Sequence, residues 1–415
     1  MVRSLFASFS SEKEVSFLSS EVSAPAGWLV AVLAFACGAG AANLYYSQPL
    51  AGLIGPDVGL SLATAGLVVT LTQIGYAAGL FLLVPLGDLI ENRRLIVTVL
   101  GAAVVALLAA AFSHGAVLFL AASLLIGVSS TGVQMVMPLA AHLSPPAIRG
   151  RVVGNVMSGL LAGILLARPV SSLVAHSLGW RPVFLLSAGL MAAVAVLLWR
   201  VLPERRPALG QSYGRLIGSL WPLWRATPVL QVRTLYQVAM FGCFALFWTA
   251  APLLLAQPPF GLSQLGIALF ALVGAGGACA APLAGRLADA GYTRPGSFAA
   301  MTLVGLAFLA SAWSVAHGSV VGLALAGLLL DFGVQMNQVI GQRAIFVLAG
   351  EHRSRLNGLY IGLFFLGGAL GSALASLLLA RLGWAGVSTA GCLFALAALT
   401  LFACETRWTG RPPPS

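Results

Sequence analysis

Two copies of one pattern decide how this chain is read: His114-Gly115, Gly132-Val133-Gln134-Met135, Arg149-Gly150-Arg151 and Leu178-Gly179-Trp180 return as His317-Gly318, Gly333-Val334-Gln335-Met336, Arg353-Ser354-Arg355 and Leu382-Gly383-Trp384. The offsets are 203, 201, 204 and 204 residues, so the chain is a tandem of two similar halves. Leu86-Gly87-Asp88 against Leu287-Ala288-Asp289, and Pro49-Leu50 against Pro252-Leu253, extend the match toward the start of each half.

What fills the halves is apolar: 59% of residues are hydrophobic, 8% are charged, and the mean hydropathy is +0.97. A soluble surface needs roughly a quarter of its residues charged. Here 22 Lys+Arg and 11 Asp+Glu serve 415 residues, which excludes a soluble enzyme, a nucleic-acid binder and a secreted disulfide scaffold. A helix of about 20 apolar residues spans a bilayer core, and twelve such runs occur. Segments one to six cover about 27–52, 61–87, 94–113, 116–140, 152–176 and 182–202; segments seven to twelve cover 232–255, 264–287, 297–316, 319–341, 355–380 and 384–404. Membrane β-strands would be shorter and would alternate with polar residues. The expected fold is therefore all-α and membrane-integral: a tail (1–26), a six-helix bundle (27–202), an Arg-rich linker (203–231) holding Pro203, Pro207 and Pro222, a second bundle (232–404) and a tail (405–415).

The net charge of +11 is an insertion signal. With the N-terminus in the cytoplasm, 19 of the 22 basic residues fall on the cytoplasmic side, Arg181 and Arg381 fall opposite, and Arg168 lies deep within a segment. Both termini are then expected in the cytoplasm, with the chain crossing the lipid bilayer of the cell's inner membrane many times. The run beginning at residue 27 lacks a small-residue cleavage site, which argues against a cleaved signal peptide. The five cysteines sit in apolar runs without a CxxC pair, which implies neither metal nor redox chemistry.

Two parallel six-helix repeats suggest a transporter whose halves rock about a midplane site. The motifs carry a resemblance as well. Gly285-Arg286-Leu287-Ala288-Asp289, with Gly291 and Arg294, resembles the loop signature of the major facilitator superfamily between helices eight and nine. The first-half copy, Pro85 to Arg94, keeps Asp88, Arg93 and Arg94 but has Val84 and Glu91 where the family has glycines. Gly159 to Ser172 is similar to the fifth-helix signature of the antiporter branch, with Arg168 standing where that signature has Gly. Bacterial efflux permeases are the nearer resemblance.

A carboxylate at one helix end can face the positive N-terminal end of a helix in the other half. Asp88 is thus expected near the start of segment eleven, around Arg355 to Gly358, and Asp289 near the start of segment five, around Arg151 to Asn155. With Arg93, Arg94 and Arg294 these would form a cytoplasmic gate; solvated loop charges are the alternative. The GxxxG pairs Gly159/Gly163 and Gly367/Gly371 predict close helix crossings.

The resemblance implies that segments one, four, seven and ten line a central cavity. Its candidate residues are Asn43, Tyr45, Tyr46 and Gln48; Ser130 and Gln134; Phe244, Phe247 and Trp248; and Gln335, Asn337 and Gln338. Helix-to-helix hydrogen bonding is an equal alternative for the amides, and interfacial anchoring for Tyr45, Tyr46 and Trp248. Arg168 and Asp331 are singled out because charge inside an apolar helix is costly and needs a partner. Counting rises of 1.5 Å from Val152 puts Arg168 in the outer half, and counting from His317 puts Asp331 on the cytoplasmic side of the midplane. Burial disfavours a charged carboxylate, so Asp331 could take up a proton in one state and release it in another. Energy coupling is thus the first reading of Asp331; a ligand for a cationic solute and a structural group hydrogen-bonded to helix four are the alternatives.

No P-loop or HExxH is present, and Gly210-Gln211-Ser212-Tyr213-Gly214 matches GxSxG without the strand a nucleophile elbow requires. Uphill transport must then draw on an ion gradient. The expectation is proton-coupled efflux, by antiport, of a small organic molecule by a monomer without a cofactor; an importing symporter is the alternative, and a non-transporting membrane sensor or an intramembrane enzyme are readings of other classes.

Overall fold

The computed structural model describes residues 26–145, 147–206, 212–274, 276–277, 280–348 and 353–409. The expected N-terminal tail and half of the GxSxG match lie outside them. Among the described residues all regular structure is helical: α1 (Gly27–Ala42), α2 (Ala51–Asp57), α3 (Leu67–Leu82), α4 (Asn92–Ala111), α5 (Ala116–Ser130), α6 (Gly132–His142), α7 (Arg149–Leu178) and α8 (Trp180–Val201) come first. Then follow α9 (Tyr213–Gly218), α10 (Leu220–Ala226), α11 (Pro228–Leu255), α12 (Gln264–Gly274), α13 (Ala280–Asp289), α14 (Thr293–Ala316), α15 (Val320–Leu348) and α16 (Arg353–Thr409).

Nine helices among the described residues are long and apolar enough to cross a membrane, against twelve expected runs. Three local features make the difference. Segment one leaves the α-helix at Ala42, ahead of Pro49, which has no N–H to continue it; residues 43–50 proceed by i→i−3 turns such as Tyr45 N to Ala42 O at 3.0 Å. Segment eight is divided between α12 and α13 around its run of glycines. Segments eleven and twelve are one helical stretch broken at Gly383 (φ 62°, ψ −160°). Gly179 makes the same corner between α7 and α8 with φ 84°, so the repeated Leu-Gly-Trp marks a turn that only glycine makes without strain.

Both GxxxG pairs pack as the spacing predicts. A Cβ on Gly159 would lie 2.3 Å from Ala34 O, and one on Gly163 2.1 Å from Gly38 O, so α7 crosses α1 backbone to backbone. In the second half, Gly367 and Gly371 meet Val238 O and Gly242 O at 2.2 and 2.1 Å, which brings α16 onto α11 in the same way. One apolar core lies wholly between Val30 and Leu202; the other is centred on residues 230–398 and takes in Tyr45, Tyr76 and Ala167 from the first half.

Two expected boundaries shift. Segment seven begins at Pro228, where proline suits a first helical turn. The last helix runs past residue 404 to Thr409 and buries Glu405 beside Arg233 (3.8 Å) and Arg294 (3.7 Å).

Candidate functional site

The turns after α1 aim Tyr45 and Gln48 at α7. Arg168 Nε donates to Gln48 Oε1 at 2.7 Å, and its guanidinium lies over three rings: Trp248 at 4.6 Å, Phe244 at 4.8 Å and Tyr45 at 5.2 Å. Cation–π attraction strengthens when the cation is withdrawn from water, and Arg168 is 4% exposed. Pro169, next in the chain, removes the N–H that would have bonded the Leu165 carbonyl. At the edge of the same indole, Trp248 Nε1 donates to Asp331 Oδ1 at 2.6 Å. Gly274 and Gly277 make room here, since a Cβ on the first would strike Trp248 at 2.2 Å and on the second Asp331 at 2.4 Å.

The structure thus corrects the depth offset expected between Arg168 and Asp331. Arg168 stands ten residues before the end of α7 and Asp331 eleven after the start of α15, and both reach Trp248. The earlier counts ran from opposite faces of the membrane, so tilt and unequal helix overhang entered with opposite sign.

Other candidates are placed elsewhere. Asn43 Oδ1 accepts from Ser187 at 2.5 Å, and the Ser130 hydroxyl donates to its own helix at Ile126 O. Gln134 Nε2 donates to Tyr76 OH at 2.7 Å, and Asn337 Nδ2 to Gln237 Oε1 at 2.8 Å. Phe247 packs among Phe270, Phe308 and Trp384. Tyr46, Gln335 and Gln338 are half-buried, and the Tyr46 hydroxyl meets Ser187. So Tyr45, Gln48, Arg168, Phe244, Trp248 and Asp331 form one cluster, which Phe247 touches only through the edge of Trp248 at 5.5 Å between centroids, and the remaining candidates lie elsewhere.

Contacts between the halves are uneven along the bundle. Near Gly66 they are tight: Gly66 N donates to Ser376 Oγ (3.0 Å), Ser376 Oγ donates to Ala63 O (3.0 Å), and the Thr70 and Ser372 hydroxyls meet at 2.9 Å. At the other end Asp88, Arg205, Arg355 and Gly358 line a cavity of about 70 Å³ that reaches Gln134. Beyond Gln134, the rings of Tyr76, Phe365, Phe241 and Phe244 follow one another, with centroids 4.5, 4.8 and 5.2 Å apart, and the last lies under Arg168. Sequence reasoning missed these serines and aromatics. Small hydroxyls are common in membrane helices, and only the juxtaposition of α3 with α16 gives them a role.

The loop charges divide. Asp88 and Arg355 share the cavity as expected. Asp289 instead pairs with Arg343 of its own half, so the expected meeting with Arg151 to Asn155 is replaced; Arg151 is exposed. Arg93 pairs with Glu204, and Arg294 reaches Glu405 and lies over Phe402. Burial works against the charge on Glu91, but the N–H groups of Arg94 (2.9 Å) and Arg93 (2.8 Å) outweigh it and hold this carboxyl below the usual range. At the opposite end, hydrogen bonds from Trp180 and then Arg181 hold Asp57 low as well.

Sequence and structure comparisons agree with this architecture. The family model for the Major Facilitator Superfamily matches residues 29–334 and 234–415. The chain is 40% identical to uncharacterized transporter YgaY of Escherichia coli O157:H7, over 90% of this chain and 94% of that protein. It is 32% identical to probable transporter SCO4007 of Streptomyces coelicolor, over 84% and 80% respectively. The crystal structure of a POT family transporter in complex with 5-aminolevulinic acid superposes with a TM-score of 0.73 at 14% identity, over 92% of this chain and 97% of that one. The repeats, the helical membrane architecture and these matches together show that this chain is a multi-pass membrane transporter of the major facilitator superfamily.

Proposed function

We propose that this chain is a proton-coupled secondary transporter that works by alternating access and exports a small organic molecule in exchange for protons. The observation that carries this is one buried charge of each sign, Arg168 and Asp331, held on a single indole where segments one, five, seven and ten meet. Ionisable groups in a membrane interior mark solute and proton paths. Asp331 is the proton site. Exchange follows if solute and proton compete for this carboxyl group.

Residues 27–202 and 232–404 are the moving halves, with the linker and both termini in the cytoplasm of a monomer in the inner membrane. In that orientation the hydroxyl contacts at Gly66 close the outer side, and the cavity at Asp88 and Arg355 opens toward the inside. The test is Asp331→Asn in proteoliposomes, compared with wild type in solute accumulation driven by an imposed pH gradient and in gradient-free exchange. Lost accumulation is expected, with gradient-free exchange surviving only at solute concentrations that offset the binding lost with this carboxylate. Accumulation at the wild-type rate would remove Asp331 from proton coupling.

A further inference from the structure

The site holds two groups of opposite charge that feel each other's field but make no direct ion pair. Arg168 and Asp331 are 4% and 5% exposed, and no ion pair within 4.0 Å joins them. Buried charges left without complete partners are expensive. Those of Arg168 are incomplete in a telling way. The Nε and Nη2 atoms lie on one edge of a guanidinium and match the two oxygens of a carboxylate. Here Nε donates to Gln48 Oε1, while Nη2 beside it and Gln48 Nε2 are buried donors with no acceptor. A carboxamide fills half of a carboxylate's place. On Asp331, Oδ1 accepts from Trp248, and Oδ2 lies toward Gly274 without a hydrogen bond among the described contacts.

We propose that the solute is a zwitterion with an apolar body, an α-amino acid or a close relative, whose carboxylate takes the Arg168 fork with Gln48 and whose ammonium takes Asp331. This assignment rests on the transport reading above and names its substrate class. A solute carrying only a carboxylate leaves Asp331 unmatched, and one carrying only an amine leaves the two orphan donors unmatched. A zwitterion satisfies both. Its side chain lies against Tyr45 and Phe244, which already pack on each other with centroids 6.5 Å apart. The ammonium and the proton then use the same carboxyl oxygen, so binding the one displaces the other.

The test uses the purified full chain and three probes of one carbon skeleton: L-leucine, its methyl ester, which keeps only the ammonium, and 4-methylpentanoate, which keeps only the carboxylate. Binding is read as the ligand-dependent rise of the unfolding midpoint. Leucine should bind at least about tenfold tighter than either, a difference of about 1.4 kcal/mol. Gln48→Glu, nearly isosteric, places a permanent carboxylate on the fork and should erase the advantage of leucine over its ester. Asp331→Asn should erase its advantage over 4-methylpentanoate. Equal stabilisation by all three probes, stabilisation by the ester or the acid alone, or none by leucine overturns the assignment. Because binding is read without a gradient, leucine selectivity together with absent pH-driven flux would sink the coupling reading and leave the substrate class standing.

Discussion

Gly163→Ala tests whether the crossing of α1 and α7 sets the charged cluster. The new Cβ would stand 2.1 Å from Gly38 O and 2.4 Å from Gly38 Cα, whereas carbon atoms rest at about 3.5–4.0 Å. Both partners are backbone, so the helices must part by about 1 Å or more. Overpacking of this kind costs about 1–3 kcal/mol, offset by about 1 kcal/mol because Ala favours helix over Gly, which leaves a net loss of up to about 2 kcal/mol. Gly101→Ala on α4 is the control: nothing lies within 4 Å of its Cβ, so it should be neutral or slightly stabilising. The displacement also reaches the site. Arg168 is five residues, about 7.5 Å, further along α7, and its 2.7 Å bond to Gln48 would stretch beyond hydrogen-bonding range. Unfolding midpoints in detergent and transport rates are measured for wild type and both variants. Equal midpoints and equal transport for the two would refute the claim that this crossing positions Arg168.

Ser376→Ala removes two hydrogen bonds between the halves, about 1–2 kcal/mol in all; in a Cys404→Ser background, L62C beside the contact should label up to about tenfold faster, and an unchanged rate means the hydroxyl does not hold this end closed. Asp57 titrates low in the fold because Trp180 and Arg181 donate to it, so its stabilisation is complete above the ordinary carboxylate value near 4 and drains away as pH falls through the lowered one. Asp57→Asn should therefore flatten the acid limb of a plot of unfolding midpoint against pH, and an unaltered limb would show the contact to be inert. Asp88→Asn should slow transport more than Asp289→Asn, since Asp88 lines the cavity between the halves while Asp289 sits in an exposed pair within its own half; equal effects would remove the distinction.

The apolar runs, the two-fold repeat and the glycine pairs were legible in the sequence because each is a short-range or periodic property of the chain. Bilayer thickness sets the run length, a helix puts residues four apart on one face, and a glycine needs no knowledge of its neighbour to permit close approach. Arg168 and Asp331 stood out for a similar reason, as charges in hydrocarbon. Partnership was another matter. That Trp248 bridges toward both charges, that Gln48 fills half of the Arg168 fork, and that Asp289 turns to Arg343 all depend on residues 54 to 120 positions apart in sequence. Such contacts follow from helix tilt, from the unwinding that Pro49 imposes after α1, and from the ångström-scale closeness of glycine crossings, none of which a periodic pattern encodes. The sequence determined which groups lipid would refuse; only the packed helices decided which groups answer them.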